Sequence, residues 1–408
     1  MDNISNQNKT MTGFSLYYLS SGLLVVSLFL TNWIGGVIFS AAWLINYYLW
    51  IQLKEELETL PNANGSASVT ILLKRFNLGN LLLTIWAAVL VLFQIFLPPL
   101  AWIIYPFATL GFLPSFWTTK TIKKIKDIMD EAPLAFNSLG ALENLAAAQA
   151  IVLDEMTTGE IIVEDILLAE GIKEELFSKM MGTFLQALHT KNNIITGLNS
   201  HFKHAKTYPV KNIVTFSKSR NWSSMYLESI GTVFLGPAES LLKETPDFVI
   251  QTLTEGKRVM ALSVSPDEHH GKELPDTLFT VALLVLTDTL KTGLPQLMEA
   301  LAKEEIQFKV LTREDPIRMA NLAKYVGLPI SLEQNIFGEL EPAQKNEICE
   351  SLSETSQIAY IGNLSTNVSC RIGSLPESHP DILAGQDLAE LADTLGEPLE
   401  EIRKLLAS

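Results

Sequence analysis

Two stretches of the chain, Met11 to Gln52 and Asn77 to Thr119, contain no Asp, Glu, Lys or Arg. Each is about 42 residues long, which as α-helix is about 60 Å. The hydrocarbon core of a bilayer is about 30 Å thick, so each stretch is long enough to cross it twice. Both carry a turn signal near the middle: Thr31-Asn32-Trp33-Ile34-Gly35-Gly36 in the first, Leu97-Pro98-Pro99 in the second. The expectation is two hairpins of membrane helices, at about 13–31, 36–52, 79–97 and 100–117. Tyr47, Tyr48, Trp50, Trp102 and Trp117 suit the headgroup level at their ends. The mean hydropathy of +0.22 is therefore an average over two populations, because the apolar excess lies almost wholly before Lys120.

Flanking cations predict the orientation. Lys54, Lys74 and Arg75 lie between the hairpins, and Lys120, Lys123, Lys124 and Lys126 follow the second. By the positive-inside rule both termini and the 53–76 loop are expected on the cytoplasmic side of a multi-pass protein of the cell membrane. The first apolar run is too long for a signal peptide and has no small-residue cleavage site, so it is expected to stay on the protein. Cys349 and Cys370 are the only cysteines; in a cytoplasmic unit they are expected as free thiols. His269 and His270 adjoin in a polar loop and are expected to be solvated rather than to hold metal. A net charge of −15 argues against nucleic acid as a partner.

After a basic helix from Lys120 to Met129, strand and helix patterns alternate. Ala150-Ile151-Val152-Leu153 reads as a buried parallel strand with Asp154 at its carboxyl edge. Phe279–Leu286, Phe308–Leu311 and Ile358–Ile361 read as further strands of the same sheet. Helices are expected at Leu294–Lys303, Pro316–Tyr325 and Ala343–Leu352. This alternation predicts a doubly wound parallel sheet, with ligands bound at the carboxyl ends of its strands. The stretch 165–275 interrupts the pattern with a helix over Glu174–Leu188. Short strands follow near Ile213–Phe216, Met225–Leu227 and Val233–Leu235, which together read as an inserted α+β cap.

A series of short segments then matches one family in order. Ile151-Val152-Leu153-Asp154 stands where a phosphorylated aspartate would, and Phe234-Leu235-Gly236-Pro237-Ala238-Glu239 where Lys-Gly-Ala-Pro-Glu would. Thr287-Asp288-Thr289-Leu290-Lys291 falls at Asp-Pro-Pro-Arg, and Val310-Leu311-Thr312-Arg313-Glu314 at Thr-Gly-Asp. Phe337-Gly338-Glu339-Leu340-Glu341-Pro342-Ala343-Gln344-Lys345 is similar to Phe-Gly-Arg-x-x-Pro-x-x-Lys, and Ile361-Gly362-Asn363-Leu364-Ser365-Thr366-Asn367 takes the place of Thr-Gly-Asp-Gly-x-Asn-Asp. The chain resembles the P-type ATPases, ion pumps of the haloacid dehalogenase superfamily. The likeness covers most of the chain after about Leu134.

The resemblance implies a division into a membrane part (1–119), a linker helix with the first part of a phosphorylation-like domain (120–164), an inserted nucleotide-binding-like domain (165–275), and the second part of the phosphorylation-like domain with a C-terminal helix (276–408). It implies a vestigial catalytic set of Asp154, Thr158, Thr312 and Lys345. It also implies a weak nucleotide site at Phe216, Lys218 and Gly236, and a magnesium position at Asp154, Asn363 and Asn367.

The departures lie at the chemistry. Glu155-Met156-Thr157-Thr158 follows the aspartate in place of Lys-Thr-Gly-Thr. Asn363 and Asn367 replace both acids of the metal position, Leu235 replaces a lysine, and Asn221 replaces a basic contact. A hard divalent cation prefers carboxylate oxygens, and amides supply no charge. The 53–76 segment is too short for an actuator domain, and the membrane helices that follow the catalytic part in the family are not expected. No cofactor is expected to bind tightly; ATP or magnesium would bind weakly. The expected role is a degenerate pump relative that binds or scaffolds in the bilayer, with another membrane protein or complex as partner. A slow nucleotide or phosphate hydrolase using Asp154, and a subunit of a split pump, stay open as alternatives.

Overall fold

The computed structural model describes residues 22, 25, 26, 33–60, 66–96, 110–189, 192–202, 208–217, 219–269, 273–374, 380–385 and 387–407. Two helices, Trp33–Thr59 and Ala67–Phe96, contain spans long and apolar enough to cross a membrane, Gly36–Thr59 and Val69–Phe96. Large side chains such as Ile38, Leu44, Ile45, Leu81, Ile85 and Leu92 face outward from them, as lipid-facing positions would. Both helices are longer than the apolar runs predict. The first already includes Trp33 to Gly35, and it runs past Gln52 to carry a Lys54–Glu58 ion pair. The second starts at Ala67 and includes Lys74 and Arg75. The 53–76 segment is therefore mostly helix, since Lys and Glu are good helix formers and need no apolar setting. Apart from Gly22, Val25 and Val26, which are helical, the expected helix 13–31 lies outside the described residues, as does most of 100–117.

The basic helix expected at Lys120–Met129 begins earlier, at Leu113, and runs to Glu131. Pro114 sits in its first turn, where a missing N–H costs nothing. Its Ile122, Ile125 and Met129 join Leu49, Leu53, Leu72 and Phe76 of the two long helices in one core that continues into the soluble part. Lys126 pairs with Glu56 at 2.8 Å, and Ser66 bonds to Glu143. The membrane-type helices are thus packed onto the domain that follows.

That domain holds a seven-stranded sheet. Its strands are β1 (Ala135–Phe136), β2 (Ala150–Asp154), β9 (Gln307–Leu311), β10 (Ile336–Phe337), β11 (Ile358–Ile361), β12 (Cys370–Gly373) and β13 (Ile382–Leu383), in the order β1-β13-β12-β11-β2-β9-β10. All neighbours are parallel except β1 with β13. From β2 the chain builds outward to β9 and β10 on one side, then to β11, β12 and β13 on the other. The order therefore reverses at β2, the place where such sheets bind ligands.

The second sheet has six strands: β3 (Thr157–Leu168), β4 (Val210–Val214), β5 (Ser223–Leu227), β6 (Gly231–Pro237), β7 (Arg258–Ser265) and β8 (Phe279–Leu290). Its order is β3-β8-β7-β6-β5-β4, antiparallel throughout. Phe279–Leu286 consequently does not belong to the parallel sheet as its sequence suggested. It lies in β8 between β3 and β7, with Val281 to Leu286 buried on both faces. One face of this sheet packs on helices Glu174–Ala187 and Asn193–His201 through Phe177, Met181, Phe184 and Leu198. On the other, Trp222 and Phe234 share a core with Val249 of helix Asp247–Thr254.

Candidate functional site

The two sheets meet at the carboxyl end of β2. Asp154 is its last residue, and Glu155 follows with φ +59°. That left-handed conformation costs an L-residue about 1–2 kcal/mol, and here it is held from several sides. The Glu155 N–H donates to Leu311 O at 2.9 Å. The Glu155 carboxylate accepts from the Thr312 hydroxyl at 2.5 Å, the Arg313 backbone N–H at 2.9 Å and Lys345 Nζ at 2.6 Å.

Asp154 is equally engaged. Lys345 Nζ lies 2.6 Å from its Oδ1, and the Tyr360 hydroxyl donates to Oδ2 at 2.9 Å. Lys291 Nζ donates to its backbone oxygen at 2.6 Å. Lys345 comes from the start of helix Pro342–Thr355, where a capping box between Glu341 and Gln344 fixes the first turn. It is almost fully buried, so the two carboxylates share one desolvated cation. Burial pushes the Lys291 ammonium down from its usual range; the charges of Asp154 and Glu155 oppose this without reversing it. Burial, then the charge of Asp154, drives the Tyr360 phenol far up, so it stays a donor.

A second cluster ties the sheets together. Asp288 Oδ2 lies 3.3 Å from Arg258 Nε and 2.5 Å from Arg318 Nη1, while Glu314 Oε2 lies 2.7 Å from Arg258 Nη2 and 2.8 Å from Arg318 Nη2. Arg258 and Asp288 belong to the antiparallel sheet; Glu314 and Arg318 belong to the segment after β9. Burial acts to raise the Glu314 carboxyl, but Arg258 and then Arg318 overrule it and hold it below the usual range. Close by, buried Lys257 pairs with Glu164 at 2.8 Å and lies over the Tyr325 ring at 4.3 Å.

Between these clusters opens a cavity of about 810 Å³. Asp154, Glu155, Arg258, Asp288, Glu314 and Lys345 line its polar side; Ile161, Ile195, Phe216, Leu235 and Met260 line its apolar side. Phe216 is 45% exposed, so it is a wall of this cleft and not a core aromatic. Gly236 packs so closely on Asn221 and Trp222 that a Cβ would meet Asn221 O at 2.6 Å, so it serves sheet packing. Lys218 and His270 lie outside the described residues. His269 is half-buried, with its ring 5.6 Å from that of Phe234, instead of solvated as expected.

Of the expected catalytic set, the structure brings Asp154, Thr312 and Lys345 together around Glu155. Thr158 faces the same cleft from β3, but its hydroxyl donates to Thr289 O at 3.3 Å. The expected metal set is not gathered. Asn363 is exposed on the loop after β11, and Asn367 lines a separate polar cavity with Glu350, Arg371 and Asp381. Among the described residues no three His, Cys, Asp or Glu side chains converge as metal ligands. The one carboxylate at the position has both oxygens hydrogen-bonded. These residues do not fit a magnesium ion.

Sequence reasoning missed Glu155, Tyr360, Arg258 and Arg318 as parts of the site. Glu155 carried a visible signal, an anion where a cation stands in the family. Tyr360 carried none, since it reads as one more apolar strand residue.

No family model matches the chain. It is 26% identical over 274 residues to the protein named "Probable cation-transporting ATPase exp7" of Streptococcus pneumoniae serotype 4, covering 60% of this chain and 35% of the relative. The chain thus spans about a third of the length of the curated relative it matches. Two crystal structures of a zinc-transporting PIB-type ATPase, in different states of that protein, superpose with TM-scores of 0.57 and 0.55. Identities are 16% and 14%, over 88% of this chain and 58% and 59% of those. This chain is thus similar in sequence to a probable cation-transporting ATPase and in fold to a zinc-transporting PIB-type ATPase.

Proposed function

We propose that this chain is a membrane-anchored, P-type ATPase-like pseudoenzyme that binds or scaffolds without transporting ions. The observation that carries the reading is the state of Asp154. A carboxylate that accepts a phosphoryl group attacks phosphorus with an oxygen lone pair, and the hydrogen bonds from Lys345 and Tyr360 to its two oxygens draw off charge and lower its nucleophilicity. Phosphoryl transfer also brings two anions together and needs a compensating cation. Asn363 and Asn367 offer no charge to hold one. Losing one such electrostatic element commonly costs about 10²–10³ in rate; several are lost here.

Four apolar spans, two of them within the helices Trp33–Thr59 and Ala67–Phe96, anchor the chain in the cell membrane, with both termini and the 53–76 segment cytoplasmic. Their outward apolar faces meet lipid and a further membrane protein. The cleft keeps an aromatic wall at Phe216, so nucleotide binds weakly, without dependence on magnesium.

The deciding experiment gives radiolabelled ATP and magnesium to the full chain in detergent. No acid-stable, hydroxylamine-sensitive label is expected. Label in the wild type that vanishes in Asp154→Asn would overturn the reading, in favour of a slow hydrolase using Asp154, Thr312 and Lys345. Recovery from native membranes with a subunit that carries ion-binding helices would favour a split pump.

A further inference from the structure

Three donors of different kinds converge at the end of β9: the Thr312 hydroxyl, the Arg313 backbone N–H and the Lys345 ammonium. Thr312 is fully buried and Lys345 nearly so. The Thr312 oxygen also accepts from the Glu314 N–H at 3.0 Å, which aims its single proton at the Glu155 carboxylate. A cation, a hydroxyl and an amide arranged in this way form a site for an oxyanion.

The site is filled from within. Glu155 Oε1 takes the ammonium and the amide, and Oε2 takes the hydroxyl. To place its carboxylate there, the Glu155 backbone adopts φ +59°, a region that non-glycine residues occupy only when their surroundings compensate. The residue at highest conformational cost in the site is therefore the one that fills it.

We infer that Glu155 is a tethered anion: its carboxylate closes an oxyanion site that would otherwise take a dissolved tetrahedral anion such as inorganic phosphate. A tethered group competes at an effective concentration of millimolar or more, and a rigid one loses little entropy on binding. Dissolved phosphate at ordinary concentrations does not displace it. The arrangement of β2, β9 and helix Pro342–Thr355 around an anion thereby becomes permanent, where a dissolved ligand would make it conditional. The inference concerns the site treated above and rests on the reading that Asp154 takes no phosphoryl group. Its test uses no ATP, so the two can fail separately.

The test is Glu155→Gly in the full chain, with thermal melting followed in inorganic phosphate and in chloride at matched ionic strength. Glycine suits the left-handed backbone, so the variant opens the site without leaving strain. Wild type is expected to gain in phosphate only the small non-specific stabilisation that this excluded salt gives a folded chain. Glu155→Gly is expected to melt lower in chloride and to regain several degrees more than this in phosphate by ligand linkage, and adding Lys345→Met should abolish that excess. Glu155→Asn, which also tolerates this backbone, is the second variant. If either folds only in phosphate, the proposal stands. If neither variant gains stability in phosphate, whether folded or unfolded in chloride, or if wild type gains as much, it is overturned.

Discussion

Tyr360 and Asp154 lie on neighbouring parallel strands two positions out of register, and the phenol of one reaches along to donate to the carboxylate of the other at 2.9 Å. The register pairs Tyr360 with Val152, so the ring runs toward the carboxyl edge of the sheet. Gly362 makes room for it: a Cβ there would meet Tyr360 Oη at 2.6 Å and Asp154 Cβ at 2.7 Å. Tyr360→Phe removes the donor, keeps the ring and should cost about 1.5–3 kcal/mol, typical of a hydrogen bond to a charged group. Gly362→Ala should cost more, because no rotamer change relieves a Cβ clash. Urea denaturation of both variants checks this; equal stability of Tyr360→Phe and wild type would mean that the bond is absent in solution.

Acid should loosen the joint between the sheets. Arg258 and Arg318 hold Glu314 low against burial, and Glu164 is held low by its hydrogen bond from Lys257, then by that from Thr287. Both carboxyls bind fewer protons folded than unfolded above their folded pKa values. Their contribution is therefore complete above the ordinary glutamate range and lost as pH falls through the lowered folded values. Urea midpoints measured from about pH 6 to about pH 3 should decline across that window, and less steeply in Glu314→Gln. A midpoint independent of pH there would contradict the assignment.

Both thiols should be inert in the folded chain. Cys349 and Cys370 are free and buried. Burial, with Asp154 and Glu350 adding, pushes the Cys349 thiol up to about 12, and burial drives Cys370 up as well. The thiolate is the reactive form, so maleimide at neutral pH should label neither until urea is added. Rapid labelling of Cys349 in the native protein would show helix Pro342–Thr355 opening away from the sheet.

Much of the parallel sheet was legible because its signals are local. Asp315 caps helix Pro316–Tyr325 with Pro316 in the first turn, and that pairing of residues marks a helix start. Ile358–Ile361 is an apolar run of strand length between a helix and a glycine. Phe279–Leu286 reads as a strand of the parallel sheet, although it lies in the antiparallel one, because a run buried on both faces has the same pattern in either surroundings. Its neighbours, β3 and β7, are set by long-range pairing that no local pattern carries. The helix Leu113–Glu131 reads as two pieces because hydropathy changes near Lys120, while the backbone has no reason to break there. In the site, Asp154, Thr312 and Lys345 could be aligned to a resemblance. The positive φ of Glu155 could not, because a non-glycine residue in that region leaves no mark in the sequence.

Lys345 is the cation on which the whole site depends, and a double-mutant cycle measures how far. Its ammonium bridges Asp154 and Glu155 at 2.6 Å each, and only 2% of the residue is exposed. Lys345→Met leaves two carboxylates facing each other without the charge between them, and removing one partner of a buried ionic group costs about 3–5 kcal/mol. Lys345→Arg should not substitute, since a planar guanidinium cannot take the place of a compact ammonium in a closed space. Glu155→Gln alone keeps the shape but loses one anion, and should cost less than Lys345→Met. Combined with Lys345→Met it removes the repulsion, so the double variant should be more stable than Lys345→Met alone. Coupling of this kind is read from denaturation of the four proteins in one buffer. If the two substitutions add independently, the three groups do not act as one charge cluster and the geometry at Asp154 has another cause.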